Sequence, residues 1–282
     1  MTANLVAAGH TVLGYDPVPE ALTTAAAAGV TVGQTATEIA AQADIVITML
    51  PAGRFVLDVY PSLLEAARPG TLFIDSSTIS VDESQEAHRL AEAAGHRSLD
   101  APVSGGVVGA TAGTLTFMVG GSQSDFDAAL PVLEVMGGRI VLCGGPGLGQ
   151  AAKVCNNMIL AISMIGVSEA FVLGESLGLS HEALFDVAAN ASGQCWALTT
   201  NCPVPGPVPK SPANNDYRPG FAGALMAKDL GLAARAIAAS GVHAELGSAA
   251  ERIYREFAEG EGAGRDFSGI ISVIRERSGA AV

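Results

Sequence analysis

The residues best suited to chemistry lie in one run, GGPGLGQAAKVCNN, at positions 144–157. Gly144, Gly147 and Gly149 precede Lys153, and Asn157 follows the lysine at a spacing of four. On a helix that spacing sets Lys153 and Asn157 on one face and turns Asn156 about 100° away. A lysine that faces a cleft from an apolar helix, beside a cationic ring, is disfavoured in its charged form. It is then suited to exchange a proton near neutral pH. The alternative is a lysine whose stem lies along apolar surface with its ammonium in water.

Further candidates stand where β-rich runs end. DAPVSGG, residues 100–106, offers a hydroxyl on Ser104 and then two flexible glycines, Gly105 and Gly106. Successive backbone N–H groups there can form a nest for a carboxylate, although the segment also reads as a strand-terminating turn. MLP (Met49 to Pro51, with Leu50 between) and DSST (Asp75 to Thr78) occupy similar places, the strand ends at which open α/β sheets bind ligands. Asp16 ends the short run TVLGYD. An acid at the end of the second strand of a dinucleotide-binding domain accepts hydrogen bonds from the adenosine ribose. Pro17 and Val18 supply no arginine for a 2′-phosphate, so the expected cofactor is NAD. The competing reading makes Asp16 the start of a turn ahead of Pro17.

These residues need a frame. TVLGYD, DIVITML (44–50), TLFIDSS (71–77), HRSLDAPV (96–103), LTFMVGG (115–121) and RIVLCG (139–144) read as strands alternating with helical runs. That alternation predicts a parallel sheet with crossover helices. Between Ser77 and His96, Ser80 and Glu83 form a capping box and Gly95 closes the helix. After Gly149 the strands stop. Helices are expected over 150–177, 180–191, 221–240, 246–258 and 267–277, with an irregular Pro- and Asn-rich stretch from Cys202 to Gly220. The prediction is an α/β, Rossmann-like, doubly wound dinucleotide-binding domain over 1–147, followed by an all-helical substrate and oligomerisation domain over 148–282. The glycine-rich phosphate loop of such a domain lies roughly 20 residues before the ribose-binding acid. Counting back from Asp16 passes Met1, so the first strand and its glycines are expected upstream, with Met1 an internal methionine of a longer protein. Unpaired sheet edges would follow.

Composition narrows the partners. A net charge of −13 with only 15 Lys and Arg excludes the clustered cations that nucleic acid requires. The four cysteines show no metal-ligand spacing and read as reduced thiols, so neither a disulfide nor zinc is expected. No signal peptide is apparent, and the most apolar run, Met158 to Val167, is about half the ~20 residues that a bilayer span needs. A cytoplasmic protein with a small-molecule ligand and no membrane or nucleic-acid partner is expected. Its apolar helical half favours a homodimer or homotetramer.

The motifs are specific enough to name a resemblance. Over nearly its whole length the chain resembles the β-hydroxyacid dehydrogenase family. DAPVSGG matches the family's substrate loop, GGPGLGQAAKVCNN its catalytic-lysine motif, and KDL within LMAKDLGLA (225–233) its cofactor-contacting segment. The run CWALTTNCPVPGPVPKSPANNDYRPGF (195–221) is similar to the hydroxyisobutyrate branch and not to the phosphogluconate branch. The chain departs from the family in lacking its first strand and G-x-G-x-M-G-x-P-M loop. The resemblance implies NAD-dependent oxidation of an alcohol β to a carboxylate, here 3-hydroxyisobutyrate to methylmalonate semialdehyde in valine breakdown. It implies Lys153 for proton transfer and Asn157 on the reacting hydroxyl and the lysine. It gives the substrate carboxylate to Ser104, Gly105 and Gly106, and NAD to Asp16, Leu50, Pro51, Thr78 and Lys228. By itself Lys228 reads as an exposed helix lysine beside Asp229. Two other readings stay open: a sister enzyme such as a tartronate- or succinic-semialdehyde reductase, and a non-catalytic homologue that serves as a binding or dimerisation module.

Overall fold

The β-rich runs of the first half become strands in the expected order in the computed structural model, which describes residues 1–279. The chain divides into two units, Met1–Lys153 and Val154–Val282. The first contains α1 (Thr2–Ala7), β1 (Leu13–Gly14), α2 (Pro19–Ala27), β2 (Thr31–Val32), α3 (Ala36–Ala40), β3 (Ile45–Thr48), α4 (Gly53–Ala66) and β4 (Leu72–Asp75). It continues through α5 (Val81–Ala93), β5 (Arg97–Asp100), β6 (Val103–Ser104), α6 (Gly106–Ala112), β7 (Leu115–Gly121), α7 (Gln123–Met136) and β8 (Gly137–Gly144).

β3, β4 and β5 pair in parallel, Val46 opposite Phe73 and Phe73 opposite Ser98. The expected single strand over 96–103 is broken into β5 and β6. Both pair antiparallel with β7 and keep one register, Leu99 opposite Gly121 and Val103 opposite Phe117. The break falls at Ala101 and Pro102, where proline has no N–H to give a ladder. β8 adds to β7 in parallel. Side chains of β4 alternate between two cores. Leu72 and Ile74 join Leu99, Phe117 and Leu133, while Phe73 joins Tyr60 and Leu63 of α4 and Ala87 and Ala91 of α5. Burial on both faces is what a doubly wound sheet requires. The capping box of α5 is present in both directions, and Gly95 beyond its C-cap takes a φ of 77°.

The start of this unit is less regular than the sequence suggests. TVLGYD contributes only Leu13 and Gly14 as strand, paired with the unanticipated β2 in a separate two-stranded sheet. Among the described residues β3 pairs only with β4 and stands at an edge of the six-stranded sheet.

The second unit is helical. α8 (Leu148–Ser176) begins in the first unit and is followed by α9 (His181–Ala189), α10 (Trp196–Thr199), α11 (Gly223–Ser240), α12 (Glu245–Glu259) and α13 (Ile270–Arg277). By length and composition α8 could cross a bilayer, which the shorter apolar run inside it could not. In the structure its Ala161, Met164 and Ile165 share a buried cluster with Met226 and Leu230 of α11 and with Tyr254 and Phe257 of α12. The stretch from Cys202 to Gly220 holds only a short 3₁₀ turn, Pro212–Asn215. Polar contacts order it: Ser211 Oγ donates to Cys202 O at 2.5 Å, and Asp266 Oδ2 accepts from Gly220 N and Phe221 N at 3.0 and 3.1 Å.

Candidate functional site

Lys153 is buried rather than reaching to water. It is 7% exposed, and its Nζ donates to Val103 O at 2.7 Å. Val103 immediately precedes the Ser104–Gly106 segment, so the structure brings the lysine to the candidate substrate loop. Ser104 ends β6 opposite Thr116. Gly105 and Gly106 are exposed and take φ values of 130° and 60°, a conformation that residues with a side chain rarely adopt. The chain reverses there because both residues lack a Cβ.

The strand ends carrying Leu50 and Thr78 are joined by one hydrogen-bonded group. Asp75 Oδ1 accepts from Thr48 Oγ1 at 2.7 Å and from Ser77 Oγ at 2.6 Å. Leu50 N in turn donates to Ser77 Oγ at 2.8 Å. Burial pushes the Asp75 carboxyl up from its ordinary range, and the bonds from Ser77 and Thr48 oppose that rise. Pro51 lies exposed just beyond Leu50. Asp16 follows β1 and is half-buried. Its Oδ1 accepts from Val18 N at 2.8 Å, so it does begin the turn ahead of Pro17 and has Oδ2 left to accept from a ligand.

In the second unit Asn157 is 2% exposed, and both atoms of its amide are engaged. Nδ2 donates to Asp229 Oδ2 at 2.6 Å, and Oδ1 accepts from Asn156 Nδ2 at 3.0 Å. Lys228 is half-buried with Nζ 3.4 Å from Asp229 Oδ1. Asp229 is therefore the centre that joins Asn157 to the KDL segment. The sequence offered it only as a neighbour of Lys228, and a charged residue among the apolar positions of α11 was the available signal. Among the described residues no His, Cys, Asp and Glu cluster has the makings of a metal site.

Two family models match the chain: the NAD binding domain of 6-phosphogluconate dehydrogenase over residues 1–145, and the NAD-binding domain of NADP-dependent 3-hydroxyisobutyrate dehydrogenase over 147–274. The probable 3-hydroxyisobutyrate dehydrogenase of Mycobacterium tuberculosis is 60% identical over 280 residues, which cover 99% of this chain and 95% of that protein. The mitochondrial 3-hydroxyisobutyrate dehydrogenase of Drosophila melanogaster is 44% identical, covering 98% of this chain and 86% of that one. A solved structure of the Mycobacterium tuberculosis enzyme with L-serine superimposes with a TM-score of 0.94 over 97% of this chain and 94% of that chain.

Proposed function

Because the chain belongs to the 3-hydroxyisobutyrate dehydrogenases of the β-hydroxyacid dehydrogenase family, we propose that it oxidises 3-hydroxyisobutyrate to methylmalonate semialdehyde with NAD, a step of valine catabolism. The observation that carries this reading is Lys153, a buried amine donating to the backbone that leads into Ser104, Gly105 and Gly106. A hydroxyl β to a carboxylate is matched in kind by an amine next to an anion-binding backbone turn. L-serine, held by the Mycobacterium tuberculosis relative, also has a hydroxymethyl group β to a carboxylate.

In this reading the N–H groups of Gly105 and Gly106, with the Ser104 hydroxyl, hold the substrate carboxylate. Lys153, in its neutral form, accepts the hydroxyl proton at Nζ. Asn157 has one N–H beyond the bond to Asp229, and donates it to the reacting oxygen. NAD, when bound, would supply the hydride acceptor for the carbinol carbon. Asp16 fits its ribose through Oδ2, with no arginine after it to suit a 2′-phosphate. Leu50, Pro51 and Thr78, at the ends of strands, would hold NAD on the sheet-containing unit, and Lys228 is given to NAD by the family's KDL segment. Most of the acceleration comes from fixing donor, acceptor and base in one geometry. The protein acts in the cytoplasm as a homodimer or homotetramer, the helical unit presenting exposed Ile159, Leu173, Leu177 and Leu246 for association.

The test is Lys153→Ala. Turnover of 3-hydroxyisobutyrate should be abolished, while calorimetric titration still shows NAD binding and circular dichroism a native fold. Near-native turnover by this variant would remove the assignment.

A further inference from the structure

Asp100 heads the segment that leads to Ser104, and it is 1% exposed. Its carboxylate serves the beginning of α8. Oδ1 accepts from Gly147 N at 2.8 Å and Oδ2 from Gln150 N at 2.9 Å, while His88 Nε2 lies 2.9 Å from Oδ1. A carboxylate placed on free N–H groups at the start of a 29-residue helix makes charge-assisted hydrogen bonds and meets the positive end of the helix dipole. This cap comes from β5, far away in sequence, so it fixes the helix to the sheet instead of only closing its first turn.

Gln150 adds a second point. It is wholly buried; its Nε2 donates to Ser77 O at 2.7 Å and its Oε1 accepts from Ile79 N at 3.2 Å, the two bonds bracketing Thr78. Backbone contact adds a third. A Cβ on Gly120 of β7 would stand 2.7 Å from Gly149 N, and one on Gly149 would stand 2.6 Å from Asp100 Oδ2. Three separate contacts, on β5, on the loop after β4 and on β7, determine both the height and the rotation of the first turn of α8. Lys153 follows Gln150 by less than one turn, so its Nζ is placed by that lock.

We propose that Asp100 and Gln150 are positioning residues for the oxidation, holding the first turn of α8 so that Lys153 Nζ stays against the Val103–Gly106 backbone. The proposal rests on Lys153 being the proton acceptor. Neither side chain touches substrate. Each acts through the helix.

Asp100→Asn keeps the side-chain shape but sets an amide N–H against a backbone N–H. Gln150→Met keeps the length and removes both bonds. In each variant kcat per folded enzyme should fall about 100-fold, the scale of a misplacement near 1 Å, with KM for 3-hydroxyisobutyrate and Kd for NAD within about twofold of wild type. Deuterium at the carbinol carbon should slow these variants more than the wild type, because hydride transfer becomes limiting. A merely structural role would lower the folded fraction and leave both kcat per folded enzyme and the isotope effect where they were. That result overturns the proposal. If Asp100→Asn fails to fold, Gln150→Met, which leaves the Asp100 cap in place, decides alone. Lys153→Ala assayed alongside separates the two failures: if it stays active, the function reading falls, whereas if it is inactive beside a fully active Gln150→Met, only the positioning role falls.

Discussion

Ser104 ends a two-residue strand, and the two glycines after it give the backbone its turn. In the role proposed for it, the Ser104 hydroxyl holds the carboxylate before and after reaction and so binds ground state and transition state alike. Ser104→Ala should therefore raise KM for the hydroxy acid several-fold more than it lowers kcat, and steady-state kinetics at saturating NAD would show it. An unchanged KM would take Ser104 out of the site. Individual residues differed in how far sequence could assign them. Lys153 and Asn157 stand out in the sequence because their spacing and polarity contrast with an apolar helix, a local pattern, and the structure buries both. The bonds of Asp100 to Gly147 and Gln150, of Gln150 to Ser77 and of Asp229 to Asn157 join positions 47 or more residues apart, and no periodicity encodes such pairs.

Among the elements, the beginning of α8 is held from β5, from the loop after β4 and from β7. Gly149→Ala would drive a Cβ into Met118 O and against Asp100 Oδ2. Forcing β7 and α8 apart should cost about 1–3 kcal/mol of stability, read as a lower urea midpoint, and should lower kcat in the same direction as Asp100→Asn. Element boundaries were legible where local chemistry marks them. The α5 capping box and its closing glycine stand where the sequence placed them. Legibility failed where pairing alone defines the element. β2 is two exposed residues that become strand only against β1, and the split between β5 and β6 reflects a ladder that proline cannot join.

At the scale of the whole molecule, charge pairs tie distant parts of the helical unit together. Arg275 on α13 donates from Nη2 and Nε to Glu175 on α8 at 2.5 and 3.2 Å, and His181 of α9 lies 2.6 Å from the same carboxylate. Arg275, and after it His181, holds the Glu175 carboxyl below its ordinary 4.5. A carboxyl with a depressed folded pKa contributes stability that is present above its unfolded value and lost as pH falls through the folded one. Stability below about pH 4.5 should decline less steeply in Glu175→Gln than in the wild type, as measured by urea midpoints across the acid range. Equal slopes would show that the pair carries no pH-dependent stability. The division into a sheet-containing half and a helical half was legible from where the strands stop at Gly144. That β3 is the strand standing at the sheet edge was not, since no side-chain pattern records which neighbour a strand lacks.

That edge has a consequence during folding. β3 reads Ile-Val-Ile-Thr, without the lysine or proline that commonly blunts an exposed edge, and the Arg68–Asp44 pair guards only its beginning. A refolding chain thus faces two competing fates, one unimolecular and one bimolecular. Closing its own core proceeds at a rate independent of concentration, while recruiting a second chain onto the open row of N–H and C=O groups accelerates with it. Yield of native enzyme is in this sense a property of the solution as well as of the molecule, and dilution works as a folding aid.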